Sequence, residues 1–328
     1  MVKTLHHILS DGWSGPLVMA ELQAAYRALR ASRSPELPDA VPYARYIAWL
    51  ATRDKAASES FFRHYLRGVS APTRLSLTRP DRARSSALLE RSDLDVALSV
   101  AETEEVFAFA KRHGLTVNTA LQGALALVLG RYAGRSDVVL GVTMSGRGAS
   151  VAGVERIVGL LINTLPLRAR WTESDHVVPW LQALQAEQVE LRAHEATPLH
   201  EAQRWAGYDG EQALFDTVLV FENYPVDESV AADPDLPVAV TDSFDQTSYP
   251  LTLFAEAEGK LALRLSWDPE LFKRADIEQL WGRLRATLLD AAAHPDKRLS
   301  ELARITEADG RVVKRRQSRR QDGEDTQG

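Results

Sequence analysis

Side chains able to do acid–base chemistry crowd into one stretch near the start, Leu5-His6-His7-Ile8-Leu9-Ser10-Asp11-Gly12-Trp13-Ser14. Histidine is the side chain whose ordinary pKa, about 6.5, permits proton exchange near neutrality. The apolar run Val2 to Leu9 that carries the pair reads as a strand, and adjacent strand side chains point to opposite faces. One imidazole of the two therefore faces any given cleft. Asp11-Gly12 turns the chain, and Ser14 with Pro16 reads as the capped start of a helix. The expected product is an imidazole held at a strand-to-helix turn.

Such a turn needs a core to hold it, and 328 residues with 45% hydrophobic and 26% charged side chains are enough to build one, which excludes wholesale disorder. The net charge of −6 argues against a nucleic-acid binder, whose footprint is a basic excess. Cysteine is absent, which removes disulfides, thiol nucleophiles and cysteine zinc sites together. No apolar run reaches the roughly 18 residues of a membrane span, and the first residues lack a secretion signal, so a soluble cytoplasmic protein is expected.

Helical spacing places Val18, Leu22, Ala25, Tyr26 and Leu29 on one stripe, followed by a proline-rich break from Pro35 to Pro42. Tyr43 to Trp49 opens another helix, and Phe61 to Leu66 ends a further one ahead of Gly68. The arginine-rich stretch from Ser70 to Ser86 reads as a connection. Ser99 to Glu102 is a capping box, His113-Gly114 a helix stop, and Thr116 the cap of the next helix. Val138 to Thr143, Leu160 to Leu167 and Phe215 to Phe221 read as strands, the first two as buried runs of a sheet covered on both faces. Trp180, Leu181, Leu184 and Leu191 mark a helix, Leu251 to Trp267 reads as a hairpin turning at Glu258-Gly259, and Asp268-Pro269 is expected to cap the last long helix.

With its flanking letters, the double-histidine stretch resembles the H-H-x-x-x-D-G motif of nonribosomal peptide synthetase condensation domains. Tyr43 to Trp49 resembles that family's Tyr-x-Asp-Tyr-Ala-x-Trp segment, with Arg45 where an acidic residue is usual, and Val158 to Arg168 resembles its Gly-x-x-(Ile/Val)-Asn-Thr-x-x-x-Arg motif. Gly141 to Arg147, His194 to Glu201 and Phe215 to Pro225 look like family stretches in the same order. The resemblance implies an α/β chloramphenicol acetyltransferase-like fold, a two-lobe sandwich with mixed sheets. Because His6 is the sixth residue, the N-terminal lobe is expected to be incomplete: a fragment, a wrongly assigned start, or a lobe supplied by a separate chain. The expected organisation is a remnant of that lobe over 1–75, the C-terminal lobe over 76–305 and a disordered basic tail over 306–328.

The implied reaction is amide formation between a donor acyl thioester and the amine of an acceptor aminoacyl thioester. Both ride on 4'-phosphopantetheine arms of carrier domains upstream and downstream, with an adenylation domain of the same module as a further partner. The domain itself is expected to bind no metal or cofactor, no nucleic acid and no membrane. The resemblance places catalysis at His7, His6, Asp11 and Gly12. His7 is expected to orient the amine and take its proton late, and His6 to be structural. Asp11 is expected to pair with an arginine, either Arg168 or one in the absent lobe, since buried charges are paired. Trp13, Ser14, Asn163 and Arg168 are expected to line or support the substrate channel, with Asn163 more a satisfier of neighbouring backbone. A non-catalytic remnant that docks carriers is the alternative; an acyl-CoA-dependent relative is disfavoured because its Asp-Phe-Gly-Trp-Gly is missing.

Overall fold

Local signals set the central helices. Ser99 accepts from the Glu102 amide while the Glu102 carboxylate returns to the Ser99 amide, which starts α4 (Val100–Arg112). Thr116 caps α5 (Val117–Ala133), and Gly134 stops it in the left-handed conformation at φ 66°. α5 is buried around nearly its whole circumference, which matches its lack of a polar face. A side chain at Gly123 would meet Leu181, so glycine lets α6 (Val177–Ala193) pack close.

The computed structural model describes residues 6–69, 71–75, 91–208, 213–222 and 247–302. Among these, β1 (Ser92–Ala97), β2 (Asp137–Met144), β3 (Asn163–Arg170), β4 (Thr217–Glu222), β5 (Leu251–Glu256) and β6 (Ala262–Trp267) form one sheet ordered β1-β6-β5-β4-β2-β3. The β2–β4 and β4–β5 pairs are parallel and the others antiparallel. Consecutive buried residues along β2 and β3 show both faces covered. α5 packs on β2, and α6 with α7 (Leu199–Trp205) packs on β3. α8 (Arg274–Ala293) closes over α4 and α5. The β5–β6 hairpin turns at Gly259, at φ 65°. Ahead of the sheet come α1 (Ser14–Arg30), α2 (Tyr43–Ala51) and α3 (Lys55–Tyr65), and Phe62 and Tyr65 of α3 join the main core.

Two expectations change. Residues 7–9 form a 3-10 turn, because the His6 Nδ1 accepts from the Ile8 amide and the His6 and His7 carbonyls accept from Leu9 and Ser10. Strand alternation therefore does not govern the histidines. The last helix begins at Arg274, because Asp268 commits its carboxylate to the Glu270 amide and its carbonyl to a tight turn with Leu271 and Phe272. The α1 stripe is half-buried to exposed, with Leu29 65% exposed, while Ser14, Gln23 and Ala28 form its buried side. Residues 1–5, most of the arginine-rich connection, residues 223–225 and the basic tail lie outside the described residues.

Candidate active site

Asp11 is the hub. It is 5% exposed and sits where α1 begins. Its Oδ1 accepts from the Ser14 amide at 3.0 Å and the Ser14 hydroxyl at 2.8 Å, so the helix cap comes from Asp11 and not from Ser14. Arg147 donates to both carboxylate oxygens, Nη1 to Oδ2 at 2.8 Å and Nη2 to Oδ1 at 3.0 Å, and the Leu161 amide donates to Oδ2 at 3.0 Å. Burial pushes the Asp11 carboxyl upward, but these hydrogen bonds and the Arg147 charge outweigh it and hold the pKa below the ordinary value.

The same few residues tie the turn to the loop between β2 and β3. The Ser14 hydroxyl bridges to the Gly159 backbone, at 3.1 Å from both its amide and its carbonyl. Trp13 donates its indole N–H to the Glu155 carbonyl at 3.0 Å, and the Arg147 guanidinium lies 5.1 Å from its ring centre. From α2, Tyr43 donates its hydroxyl to the Leu160 carbonyl at 2.8 Å, and its ring packs where a Gly159 side chain would stand. Val41, Tyr46, Ala149, Val154, Ile157 and Leu161 form a second small core beneath this loop.

Behind the loop, Asn163 opens β3 and donates its amide to the Glu195 carbonyl at 2.8 Å and the Thr197 carbonyl at 2.5 Å. Asn163 thus satisfies backbone. Arg168 does not reach Asp11. It lies five residues beyond Asn163 along β3, about 16 Å from that residue at strand rise. Its guanidinium forks onto Asp137 at 2.8 and 2.6 Å and donates to the Tyr65 and Arg67 carbonyls, both at 2.9 Å, clamping the end of α3 to the sheet.

His6 and His7 lie exposed at the tip of the turn that Asp11 anchors, with Gly12 exposed beside them. The structure thus gathers His6, His7, Asp11, Gly12, Trp13 and Ser14 at one place, with Asn163 one layer behind and Arg168 elsewhere. Arg147 escaped the reading of the sequence. An arginine between two glycines at the end of a buried strand, together with a buried aspartate in need of a cation, was the available signal. Among the described residues no cluster of three or more His, Asp or Glu side chains is placed to hold a metal ion, and no helix is long and apolar enough to cross a membrane.

A family model described as Condensation domain matches residues 1–312. The chain belongs to that family. This condensation domain is 38% identical over 310 residues to a linear gramicidin synthase of Brevibacillus parabrevis, an alignment covering 94% of the chain and 6% of the synthase. It spans a small part of the curated relatives it matches. Among solved structures it is similar to the first condensation domain of the calcium-dependent antibiotic synthetase with a bound substrate analogue (TM-score 0.72, 22% identity, 92% of this chain and 66% of that one). It is also similar to the X-domain in its complex with OxyB from teicoplanin biosynthesis (TM-score 0.71, 20% identity, 91% and 68%). The mixed α/β sheet of the condensation domain is thus of the chloramphenicol acetyltransferase-like type.

Proposed function

We propose that this condensation domain forms the amide bond between a donor acyl thioester and the α-amine of an acceptor aminoacyl thioester, both delivered on the phosphopantetheine arms of carrier domains, within a module that includes an adenylation domain. The observation that carries the reading is the placement of His7 on an exposed turn whose root is locked by the buried Asp11–Arg147 pair.

The amine nitrogen attacks the thioester carbonyl, the carbon–sulfur bond breaks, and the proton that the nitrogen gives up passes by way of His7 to the departing thiolate. Free α-amines titrate near pH 8 and thiols near 8.5, so neither proton transfer is demanding. A general base contributes typically about 10²- to 10⁴-fold, whereas oriented juxtaposition is worth about 7 to 11 kcal/mol. His7 therefore acts chiefly by orienting the amine and accepting its proton late. His6 commits its Nδ1 to the turn and keeps His7 outward. Asp11, Gly12, Trp13 and Ser14 position that turn, and Asn163 and Arg168 support the sheet behind it.

A second reading is favoured by exposed apolar side chains around α1, with Ile8 65%, Leu9 61% and Leu29 65% exposed. In it the domain is a non-catalytic docking module; an X-domain of similar fold is found in complex with OxyB. Mixing the chain with donor-loaded and acceptor-loaded carrier domains and weighing the acceptor carrier decides between them. The catalytic reading expects the donor mass on the acceptor, and a rate that falls by about 10² or more in His7→Ala. Carrier binding without transfer supports the docking module instead.

A further inference from the structure

Glu195 is one of the buried acids among the described residues that the reaction above does not use. Glu195 follows α6, is 6% exposed, and neither touches the histidine turn nor takes part in the chemistry described. Its Oε1 accepts from the Gly148 amide at 2.9 Å, and the Gly146 amide faces the same carboxylate. These two glycines flank Arg147. A side chain at Gly148 would lie 2.6 Å from the Glu195 Oε1, and one at Gly146 would collide with the Leu161 carbonyl oxygen, with Gly146 already at φ 68°. Glycine is thus required at 146, against the backbone of the residue whose amide binds Asp11, while a side chain at 148 enters only by displacing the Glu195 carboxylate.

We propose that Glu195 is a positioning residue of this site, acting through the Gly146–Gly148 loop and Arg147 on Asp11 and hence on the His7 turn. Each link is a direct contact: the Glu195 carboxylate to the loop amide, Arg147 to both oxygens of Asp11, and Asp11 to the first turn of α1. Glu195 is itself fixed, because Asn163 holds its carbonyl at 2.8 Å. The stretches around His7, Arg147, Asn163 and His194, far apart in the chain, are thereby one mechanical unit. A carboxylate suits the task because it accepts two backbone N–H groups at once without offering a donor that would compete with them. Burial pushes its pKa upward, opposed by the loop amides and the charge of Arg192, as expected of an acid kept in place for its contacts and not for exposure to water.

The activity arm of the test rests on the condensation reading; the spectroscopic arm does not. Trp13 is the internal reporter, since its indole N–H is held by the Glu155 carbonyl and its ring lies against Arg147. Its indole resonance is assigned by its loss in Trp13→Phe. In Glu195→Ala that resonance is expected to move, and the Leu161 amide to exchange about tenfold faster, the equivalent of one lost hydrogen bond. Transfer onto the acceptor carrier is expected to fall about 10- to 100-fold in kcat, as for a small misplacement of reacting groups, with KM largely retained. Glu195→Gln keeps an acceptor oxygen and is expected to restore the resonance and most of kcat. Gly148→Ala drives a methyl at the carboxylate from the other side and is expected to reproduce Glu195→Ala, which keeps the test alive if the alanine variant does not fold. Wild-type Trp13 resonance and Leu161 exchange in both Glu195→Ala and Gly148→Ala overturn the proposal, as does a fall in kcat unaccompanied by either change. A chain with no turnover defeats the condensation reading and leaves the resonance and exchange measurements to judge Glu195.

Discussion

Replacing Asp11 by asparagine isolates the charge at the root of the site with almost no change of shape. The wild-type carboxylate accepts from the Ser14 amide and hydroxyl, from two Arg147 nitrogens and from the Leu161 amide. An asparagine has one acceptor oxygen. With its NH₂ at the Oδ1 position it confronts the Ser14 donors and Arg147 Nη2; at the Oδ2 position it confronts Arg147 Nη1 and the Leu161 amide. Either way donor faces donor, and Arg147, whose side chain is 4% exposed, is left as a buried cation without a countercharge. Breaking one side of a buried pair costs about 3 to 5 kcal/mol, a large share of the roughly 5 to 15 that holds an ordinary domain together. Urea unfolding followed by tryptophan fluorescence should register that loss for Asp11→Asn. Arg147→Met in the same background should recover part of it, since removing both charges leaves no orphaned ion. A loss under about 1 kcal/mol, or single-variant losses that simply add, would refute the account of Asp11 as a buried, desolvated anchor.

Asp11 and Glu195 are expected to respond to pH with opposite sign. Asp11 is held below its unfolded pKa of about 3.9, so its stabilisation is complete above that value and is lost only as pH falls through the lowered folded pKa. Glu195 is held above its unfolded value, so ionised Glu195 destabilises at neutral pH and the cost disappears as pH falls through the raised folded pKa. Unfolding free energies of Glu195→Gln minus wild type should therefore rise with pH from about 4 and then level off; a flat difference contradicts the burial account. Arg168→Ala should destabilise the chain by about 1 to 3 kcal/mol, chiefly because the carbonyls at the end of α3 lose two donors while the partly exposed Asp137 is resolvated, yet leave the Trp13 resonance unmoved. A shifted Trp13 signal there would mean that the clamp and the site are not separate.

What the amino-acid sequence disclosed follows the range of the interactions. Ser99 with Glu102, Thr116 with Thr119, and Gly134 are contacts within a few residues, and the helices they bound lie where local rules place them. The β5–β6 hairpin is equally local. The turn at His7 is local too, but it is closed by a histidine side chain accepting from backbone, a competitor that an apolar run read as a strand conceals. Asp268-Pro269 misled for a related reason, since an aspartate ahead of a proline satisfies a tight turn as readily as a helix. The partner of Asp11 was hard to read because Arg147 lies 136 residues away, and only its place between two glycines sets it apart from Arg168. The burial of both arginines resolves the matter: each has its own acid, Asp11 for one and Asp137 for the other.

The span of the Asp11 contacts also sets an order of events as the polypeptide emerges from the ribosome. Asp11 can cap α1 as soon as Ser14 has been made, but the amide of Leu161 comes 150 residues after it. At about 5 to 20 residues per second the turn waits roughly 8 to 30 s for its anchor. During that interval the histidine segment lacks its contacts to the β2–β3 loop, and Arg147 gains its Asp11 countercharge only when it folds back onto that turn. Synthesis of the β2–β3 loop is thus the moment at which the histidine turn first acquires a fixed shape.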